Sequence, residues 1–234
     1  MTQRSRAARS AGLAALAAAA AIGSMLGAGT AQADTAAVAA PGVVIIQGSG
    51  DAATRCTLGY TARNSAGARL AITAGHCGTL GAQVYDKAHR LIGRYVAVRP
   101  DDTTAQRYGY SLIALADNVA ASPSVTPTFS VARQDRAAEG DQVCLFGTTS
   151  GRKCGTVAAV SESAGIIAGS LSNPGDSGGP VVRMRDRALV GILIGHNSVR
   201  GETLFEPVTN ILRLAAQSGD GGNQLGPVVD LDRT

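Results

Sequence analysis

Apolar residues along the chain fall in short runs that turn residues interrupt about every eight to twelve positions. Val43–Ile46 is a β-branched run that stops at a Gly-Ser-Gly triplet, and Arg69–Thr73 is a short strand pattern that leads into Gly75. Further short runs follow at 83–85, 91–98 and 111–115. No helical period is sustained through this half. Many short strands with turns between them predict a β-barrel or a β-sandwich.

Residues 118–127 are a polar, proline-bearing link. The second half of the chain, which follows it, again consists of short apolar runs separated by turn residues. Residues 142–157 indicate a hairpin, and Leu189–Gly195 is a nearly continuous apolar run typical of a buried strand. Apolar residues with helical spacing then predict one short helix over Val208–Gln217. The glycine-rich residues that follow favour a flexible tail.

Residues 1–33 have the pattern of a secretory signal peptide. Three arginines precede an uncharged run from Ala11 to Leu26, and the segment ends in Ala31-Gln32-Ala33. A basic start, an apolar middle and a small-residue end predict export with cleavage after Ala33. No other stretch is long and apolar enough to span a bilayer, so we expect a secreted, extracellular protein without a stable membrane anchor.

The net charge excludes a nucleic-acid partner. The chain carries 21 basic and 17 acidic residues, but three of the basic residues and none of the acidic ones lie in the leader, which leaves a net charge of +1. No basic patch interleaved with aromatic residues is present.

Four cysteines, Cys56, Cys77, Cys144 and Cys154, belong to a chain that is expected to meet an oxidising environment. Four cysteines allow three pairings, of which the pairing of sequence neighbours closes two short loops. Zinc is the alternative, but no CxxC or HxxxH spacing supports it. We therefore predict disulfides and no metal site.

The most distinctive stretch is residues 173–180, which read NPGDSGGP. Its glycines allow positive φ and close packing around Ser177. That geometry suits a nucleophile whose own N–H, together with that of Gly175, points at a developing oxyanion. A serine needs a base at neutral pH, and His76 within Thr73–Cys77 (TAGHC) is the candidate.

GDSGGP and TAGHC resemble the nucleophile and histidine motifs of the trypsin/chymotrypsin-like serine proteases, in that family's order. The cysteine-bearing stretches around residues 56–77 and 143–156 are similar to the bacterial, streptogrisin-type branch. The resemblance runs from about Val43 to Gln217 and implies an all-β fold of two packed six-stranded antiparallel β-barrels with the site between them. It also implies a bridge between Cys56 and Cys77.

The expected organisation has five parts. It consists of a signal peptide over 1–33, a flexible lead-in over 34–42, an N-terminal barrel carrying His76 over 43–120, a C-terminal barrel with Ser177 and the helix over 121–218, and a flexible tail over 219–234.

The resemblance implies peptide-bond hydrolysis through an acyl-enzyme, with Ser177 as nucleophile, His76 as base and the N–H groups of Gly175 and Ser177 as oxyanion hole. We expect a monomer that needs no cofactor and whose partner is a protein or peptide substrate. A secreted esterase of the α/β-hydrolase type is excluded, because that fold needs the histidine after the serine.

The orienting acid is absent from its expected position. In the family an aspartate heads a strand that matches residues 107–115 here, and that position is Gly109. Asp101 and Asp102 lie upstream, and Asp102 could replace the missing acid if its loop folds back to His76. A solvated loop acid is the alternative for both residues. A weak or inactive homologue that binds peptides or proteins is therefore the second hypothesis.

Three further residues take expected roles from the resemblance. Asp176 is implied to form a buried ion pair that shapes the oxyanion loop, with a cationic partner that the sequence does not identify. Leu171 falls at the floor of the substrate pocket, where an apolar side chain argues against selection of Lys or Arg. His196 falls at the pocket wall and either contacts a substrate side chain or is structural.

Overall fold

The computed structural model describes residues 36–219 and 225–227. The predicted signal peptide and its cleavage site lie outside the described residues. Among those residues, no helix is both long and apolar enough to cross a bilayer.

The N-terminal half is a curled antiparallel sheet. A short strand β1 (Val38–Ala39) precedes it, and its own strands are β2 (Val44–Gln47), β3 (Thr54–Thr57), β4 (Tyr60–Arg63), β5 (Arg69–Ala74), β6 (Gln83–Tyr85), β7 (Leu91–Arg99) and β8 (Tyr110–Leu115). The strand order is β4-β5-β8-β7-β6-β2-β3. Buried and exposed positions alternate along much of β7, because successive side chains point to opposite faces of a strand. The buried face forms the interior of a half-barrel.

The link between the halves is ordered and paired with the start of the described chain. β1 pairs in parallel with β9 (Ala120–Ala121), and Ala37 and Ala39 are buried. The small, featureless residues of the lead-in over 34–42 predict a flexible segment. The described part of it is packed instead, since small side chains allow the backbone to lie flush against the link.

The C-terminal half has nine strands between residues 124 and 207, six of which form a closed barrel. Its strands are β10 (Ser124–Thr126), β11 (Phe129–Ser130), β12 (Arg133–Gln134), β13 (Gln142–Gly147), β14 (Gly151–Val160), β15 (Gly165–Ala168), β16 (Pro180–Arg183), β17 (Ala188–Asn197) and β18 (Glu202–Pro207). Strands β17-β16-β13-β14-β15-β18 follow one another, and pairing of β17 with β18 closes the ring. The expected all-β double barrel is confirmed, with one closed ring and one half-barrel.

One helix, α1 (Val208–Ser218), follows β18 and agrees with the predicted span to within one residue. Its apolar side buries Val208, Ile211 and Ala215 in a core cluster shared with both barrels. Gly219 adopts φ +68° directly after the helix, the left-handed conformation that commonly ends helices.

A short piece of the expected flexible tail is packed. The final strand, β19 (Gly226–Pro227), pairs with Ala62 and Arg63 of β4, and Leu225 is buried in the shared core. The glycine-rich composition gives no sign of this contact, in which the apolar side chain of Leu225 is buried. Residues 220–224 and 228–234 lie outside the described part.

Both predicted disulfides are confirmed. Cys56 is bonded to Cys77, and Cys144 is bonded to Cys154 across the hairpin formed by β13 and β14. The first bridge ties β3 to the turn that carries His76, and the second ties two neighbouring strands of the closed barrel.

Candidate active site

Ser177 lies in the turn between β15 and β16, at the contact between the two barrels. Its carbonyl accepts the Thr57 N–H from the N-terminal barrel at 2.8 Å. The next residue, Gly178, donates its N–H to the Leu193 carbonyl of the C-terminal barrel at 2.7 Å. Gly178 has φ +88°, and an added Cβ would lie 1.9 Å from the Thr73 hydroxyl oxygen. Only glycine fits there, so the predicted need for glycine around the serine has a physical cause at this position.

His76 lies in a 3₁₀ turn, Gly75–Cys77, directly after β5. The disulfide of Cys77 holds one end of this turn. The Ser111 hydroxyl donates to the Gly75 carbonyl at 3.1 Å, and the Tyr95 hydroxyl donates to the Cys77 carbonyl at 2.9 Å. The backbone that carries His76 is therefore fixed on both sides of the imidazole.

Asp101 is the acid that contacts His76. A hydrogen bond joins Nδ1 of His76 to Oδ2 of Asp101, and the Gly109 N–H donates to Oδ1 of Asp101 at 2.6 Å. The Asp101 side chain is only 5% exposed, whereas that of His76 is 43% exposed. The imidazole thus has a buried carboxylate on one side and an accessible edge on the other.

Asp102 does not reach His76, and the expectation that it would replace the missing acid is corrected. Its carboxylate pairs with Arg107 at 3.0 Å and accepts the Ala105 N–H at 2.9 Å, and the side chain is 47% exposed. Successive side chains of an extended segment point in opposite directions, so only one of two adjacent aspartates can face the histidine.

The position of Gly109 explains why the carboxylate comes from the neighbouring strand. Arg99 at the end of β7 pairs with Tyr110 at the start of β8, which brings Asp101 beside Gly109. A Cβ at Gly109 would lie 1.9 Å from the Arg99 carbonyl oxygen. This backbone leaves no room for an aspartate at 109, and Asp101 supplies the carboxylate in its place.

The hydroxyl of Ser177 donates to the Ile194 carbonyl of β17 at 3.0 Å. Within the described part of the chain, no hydrogen bond joins Ser177 to His76. The serine side chain is partly exposed. Because its hydroxyl donates to Ile194, it is turned toward the C-terminal barrel rather than toward the base.

Asp176 is fully buried, and within the described residues its carboxylate accepts hydrogen bonds from backbone amides. The N–H groups of Thr149 and Ser150 donate to Oδ1 at 2.7 and 2.9 Å, and that of Asn173 donates to Oδ2 at 2.8 Å. None of the ion pairs formed by residues 36–219 includes Asp176, so the implied ion pair is corrected to a set of three amides. An added Cβ at Gly147 would lie 2.1 Å from the Asp176 carboxylate. Because glycine lacks this atom, the hairpin tip can approach the carboxylate closely.

The backbone around Gly175 has the features of an oxyanion site. Gly175 adopts φ +98°, and its carbonyl accepts the hydroxyls of Thr57 at 2.8 Å and Thr148 at 3.0 Å. No hydrogen bond in the described part of the chain uses the N–H of Gly175 or of Ser177. Two hydroxyls thus fix the direction of the carbonyl, while the two predicted oxyanion donors stay available.

The two expected pocket residues differ in their surroundings. Leu171 is half-buried, packs against the core of the closed barrel, and donates its N–H to the Thr203 hydroxyl at 2.8 Å. His196 is exposed on β17, in register with Thr203 of β18. Both residues therefore border the segment around Thr203.

The sulfur atoms of Cys56 and Cys77 lie within 4.8 Å of a ring nitrogen of His76. Both cysteines are bonded to each other, so neither can supply the thiolate that a metal ion would need.

One buried acid near the site is not indicated by any motif. Glu206 of β18 is fully buried. Its Oε1 accepts the side-chain N–H of Asn210, while Oε2 has no hydrogen-bond partner in the part of the chain that the structure describes. The pKa of Glu206 is raised to about 9, mainly by burial and also by the charge of Asp101, while the hydrogen bond from Asn210 and the charge of Arg213 oppose the shift. Glu206 is therefore a neutral acid at pH 7.

A protein-family model described as Trypsin matches residues 66–214. The chain belongs to the trypsin family. An uncharacterized protein of Mycobacterium tuberculosis strain H37Rv, Rv1815, is 37% identical to this trypsin-family chain over 158 residues, which cover 62% of this chain and 69% of that protein.

Solved structures of bacterial proteases share the fold of this trypsin-family chain. Nocardiopsis protease (NAPase) has a TM-score of 0.64 at 24% identity and covers 82% of this chain and 100% of its own. Thermobifida fusca protease A has a TM-score of 0.62 at 23% identity, covering 76% and 96%. Cellulomonas bogoriensis chymotrypsin has a TM-score of 0.61 at 25% identity, covering 82% and 98%. These likenesses confirm the chymotrypsin-like fold, and the family model confirms the expected trypsin/chymotrypsin-like family.

Proposed function

We propose that this trypsin-family protein is an exported serine endopeptidase in which Ser177 is the nucleophile, His76 the base and Asp101 the acid that orients the base. The hydrogen bond between Nδ1 of His76 and the buried Asp101 carboxylate carries the proposal. Asp101, which follows the end of β7, supplies the carboxylate that Gly109 before β8 cannot provide.

The contacts of Asp101 define how the base works. A carboxylate can only accept hydrogen bonds, so it selects the imidazole tautomer with the proton on Nδ1 and leaves Nε2 free to take a proton. His76 takes the Ser177 proton as Oγ attacks the peptide carbonyl, and it then gives that proton to the leaving amine. Water repeats the sequence on the acyl-enzyme and regenerates the serine.

The charge that develops on the substrate oxygen is met by the N–H groups of Gly175 and Ser177. Removal of one such donor typically costs about 100- to 1000-fold in rate. The three amides around Asp176 hold this loop in place, so Asp176 acts as a positioning residue.

The Ser177 hydroxyl must turn from the Ile194 carbonyl to His76 before the reaction. A serine side chain changes rotamer about a single bond, and substrate that approaches Ile194 would compete for the same carbonyl. Substrate binding therefore favours the reactive orientation.

The contact between the Ser177 hydroxyl and the Ile194 carbonyl also supports a second candidate function. If Ser177 stays bound to Ile194, the chain is a peptide- or protein-binding module on a protease scaffold. The distinguishing property is whether Ser177 reacts as a nucleophile.

The substrate side chain that precedes the cleaved bond is expected to meet Leu171 and His196. Both border the segment around Thr203, and neither carries a carboxylate that could select Lys or Arg. An apolar or acidic side chain fits this pair better than a basic one.

Export is part of the same proposal. Two disulfides and the relation to bacterial proteases are consistent with an extracellular location. The leader pattern over residues 1–33 supplies the route, with cleavage after Ala33.

Labelling with a fluorophosphonate probe, combined with digestion of casein, tests the proposal. We expect the folded protein to be labelled and to release peptides, and the Ser177→Ala and His76→Ala variants to do neither. The matched control is Ser172→Ala, which alters a nearby buried serine outside the proposed triad. A folded parent protein that is neither labelled nor active would overturn the proposal and favour the binding module.

A further inference from the structure

Two clefts adjoin the nucleophile loop at the tip of the hairpin formed by β13 and β14. The first, the Lys87 cleft, has a volume of about 510 Å³, and its lining includes Gly42, Val43, Asp86, Lys87, Arg90 and Thr148. The second, the Arg152 cleft, has a volume of about 430 Å³, and its lining includes Gly42, Val125, Phe129, Phe146, Gly147 and Arg152. Gly42 and Gly147 line both clefts, so the two are neighbours, and together they are called the groove.

The shared wall of the groove touches the reactive loop directly. Thr148 donates its hydroxyl to the Gly175 carbonyl at 3.0 Å, and Gly147 lies against the Asp176 carboxylate. The Ile194 carbonyl contacts Ser177 from a different element, β17. A peptide that crosses Ser177 from β17 therefore continues into the groove.

The groove lies on the side of the nucleophile that holds the base. Val44 at the start of β2 and Val43 just before it form part of its wall. Strand β2 pairs with β3, and Cys56 of β3 is bonded to Cys77 beside His76. His76 has to protonate the leaving amine, so the departing segment lies on this side.

Two positive charges of the groove have no ion-pair partner among the described residues. Lys87 and Arg152 are exposed, and neither belongs to an ion pair among residues 36–219. The acid in the lining, Asp86, is already bound by Arg90 at 2.7 Å and by the N–H groups of Ala88 and Arg90. The aromatic pair Phe129 and Phe146 supplies an apolar floor beside Arg152.

We propose that this groove selects acidic residues in the part of the substrate that follows the cleaved bond, with Lys87 and Arg152 as the specificity-determining residues. The inference rests on the proposed peptidase function. It concerns the leaving segment, whereas Leu171 and His196 concern the segment that stays on the enzyme.

An acyl-transfer experiment isolates the leaving side. p-Nitrophenyl acetate acylates Ser177, and Ala-Glu-Glu-amide, Ala-Gln-Gln-amide or Ala-Lys-Lys-amide then competes with water for the acetyl group. The new amide bond forms as the seryl ester bond breaks, and the amine proton passes to His76 and then to Ser177. The acceptor occupies the place of a leaving segment, because this step is the reverse of acylation.

We expect the acidic acceptor to capture the acetyl group about 5- to 10-fold more efficiently than the basic one at low salt, with a smaller difference at high salt. Lys87→Glu and Arg152→Glu should each remove or reverse this preference. Lys153→Glu is the matched control, since it also replaces a positive charge by a negative one. Lys153 is next to Arg152 in the sequence but lies outside the lining of both clefts. Equal capture of the three acceptors, or an equal effect of Lys153→Glu, would overturn the proposal.

A binding measurement separates this inference from the catalytic proposal. Fluorescence anisotropy of labelled Ala-Glu-Glu-amide with the Ser177→Ala protein needs no catalysis. Binding that Lys87→Glu weakens and Lys153→Glu does not would support the groove even if no acyl-enzyme forms. Identical binding of the acidic and basic peptides would overturn it whether or not the parent protein is active.

Discussion

At the scale of single residues, two adjacent aspartates have different surroundings, and only one of them contacts the proposed base. Asp101 is buried against His76, whereas Asp102 is half-exposed and paired with Arg107. The same scale explains Asp176, whose carboxylate accepts hydrogen bonds from three backbone amides and has no ion pair within residues 36–219. Amide hydrogen bonds to a carboxylate are among the stronger ones in proteins.

Asp176→Asn tests the amide set. The substituted side chain has one oxygen and one NH₂ group, so an N–H donor must face a backbone N–H on one side of the loop. We expect a loss of about 2 kcal/mol in the free energy of unfolding. The rate of fluorophosphonate labelling should fall by about 100-fold, because the oxyanion donors of the loop are displaced.

Asp51→Asn is the control for this change, since Asp51 is exposed on a surface turn. Denaturant unfolding followed by circular dichroism, together with labelling kinetics, provides the measurement. Equal effects of the two substitutions would show that the buried carboxylate does not position the loop.

At the scale of elements, the register of β7 with β8 places the acid. Pairing of Arg99 with Tyr110 sets Asp101 next to Gly109, and the closeness of these backbones excludes a side chain at 109. The same strand pairing thus excludes an aspartate at position 109 and places Asp101 beside it.

Gly109→Ala should therefore impair the site without touching any reacting group. The added Cβ would lie 1.9 Å from the Arg99 carbonyl, so the end of β7 must move and carry Asp101 with it. We expect casein hydrolysis to fall by at least about 10-fold and the unfolding free energy by about 1–3 kcal/mol. Gly226→Ala, whose added Cβ would have its nearest neighbour at 4.0 Å, should change neither quantity. Unchanged hydrolysis by Gly109→Ala would contradict this account of the strand pairing.

At the scale of the whole molecule, the C-terminal segment joins the barrels and brings a buried acid near the site. Helix α1 and Leu225 complete the shared core, and Glu206 lies just before the helix. The pKa of Glu206 rises from 4.5 to about 9 on folding, mainly because of burial. Between these values the folded protein keeps a proton that the unfolded chain has lost.

This proton makes stability depend on pH. Unfolding releases it between about pH 4.5 and 9, so the free energy of unfolding should fall as pH rises, with a contribution of up to about 1.4 kcal/mol per pH unit from this group. Glu206→Gln removes the titration and should flatten the profile over this range. Denaturant titrations at several pH values measure both slopes. Parallel profiles for the two proteins would contradict the assignment.

The sequence allows prediction of those parts of the site that depend on local motifs. The loops of Ser177 and His76, both disulfide pairs and the C-terminal helix follow from residues that are close in the chain. Asp101 could not be separated from Asp102 by spacing, because the choice depends on the direction of the chain after β7. The partners of Asp176 and the contact of Leu225 depend on distant backbone, which composition does not record.

Comparison of Asp101→Asn with Asp102→Asn tests the central claim most directly. The measurement is the second-order rate constant of fluorophosphonate labelling at pH 7, on proteins shown to be folded by circular dichroism. We expect Asp101→Asn to lower the rate constant by about 10³- to 10⁴-fold, because the amide no longer selects the reactive tautomer of His76. Asp102→Asn should change it by less than about 3-fold. Equal effects of the two substitutions, or a large loss with Asp102→Asn alone, would contradict Asp101 as the orienting acid.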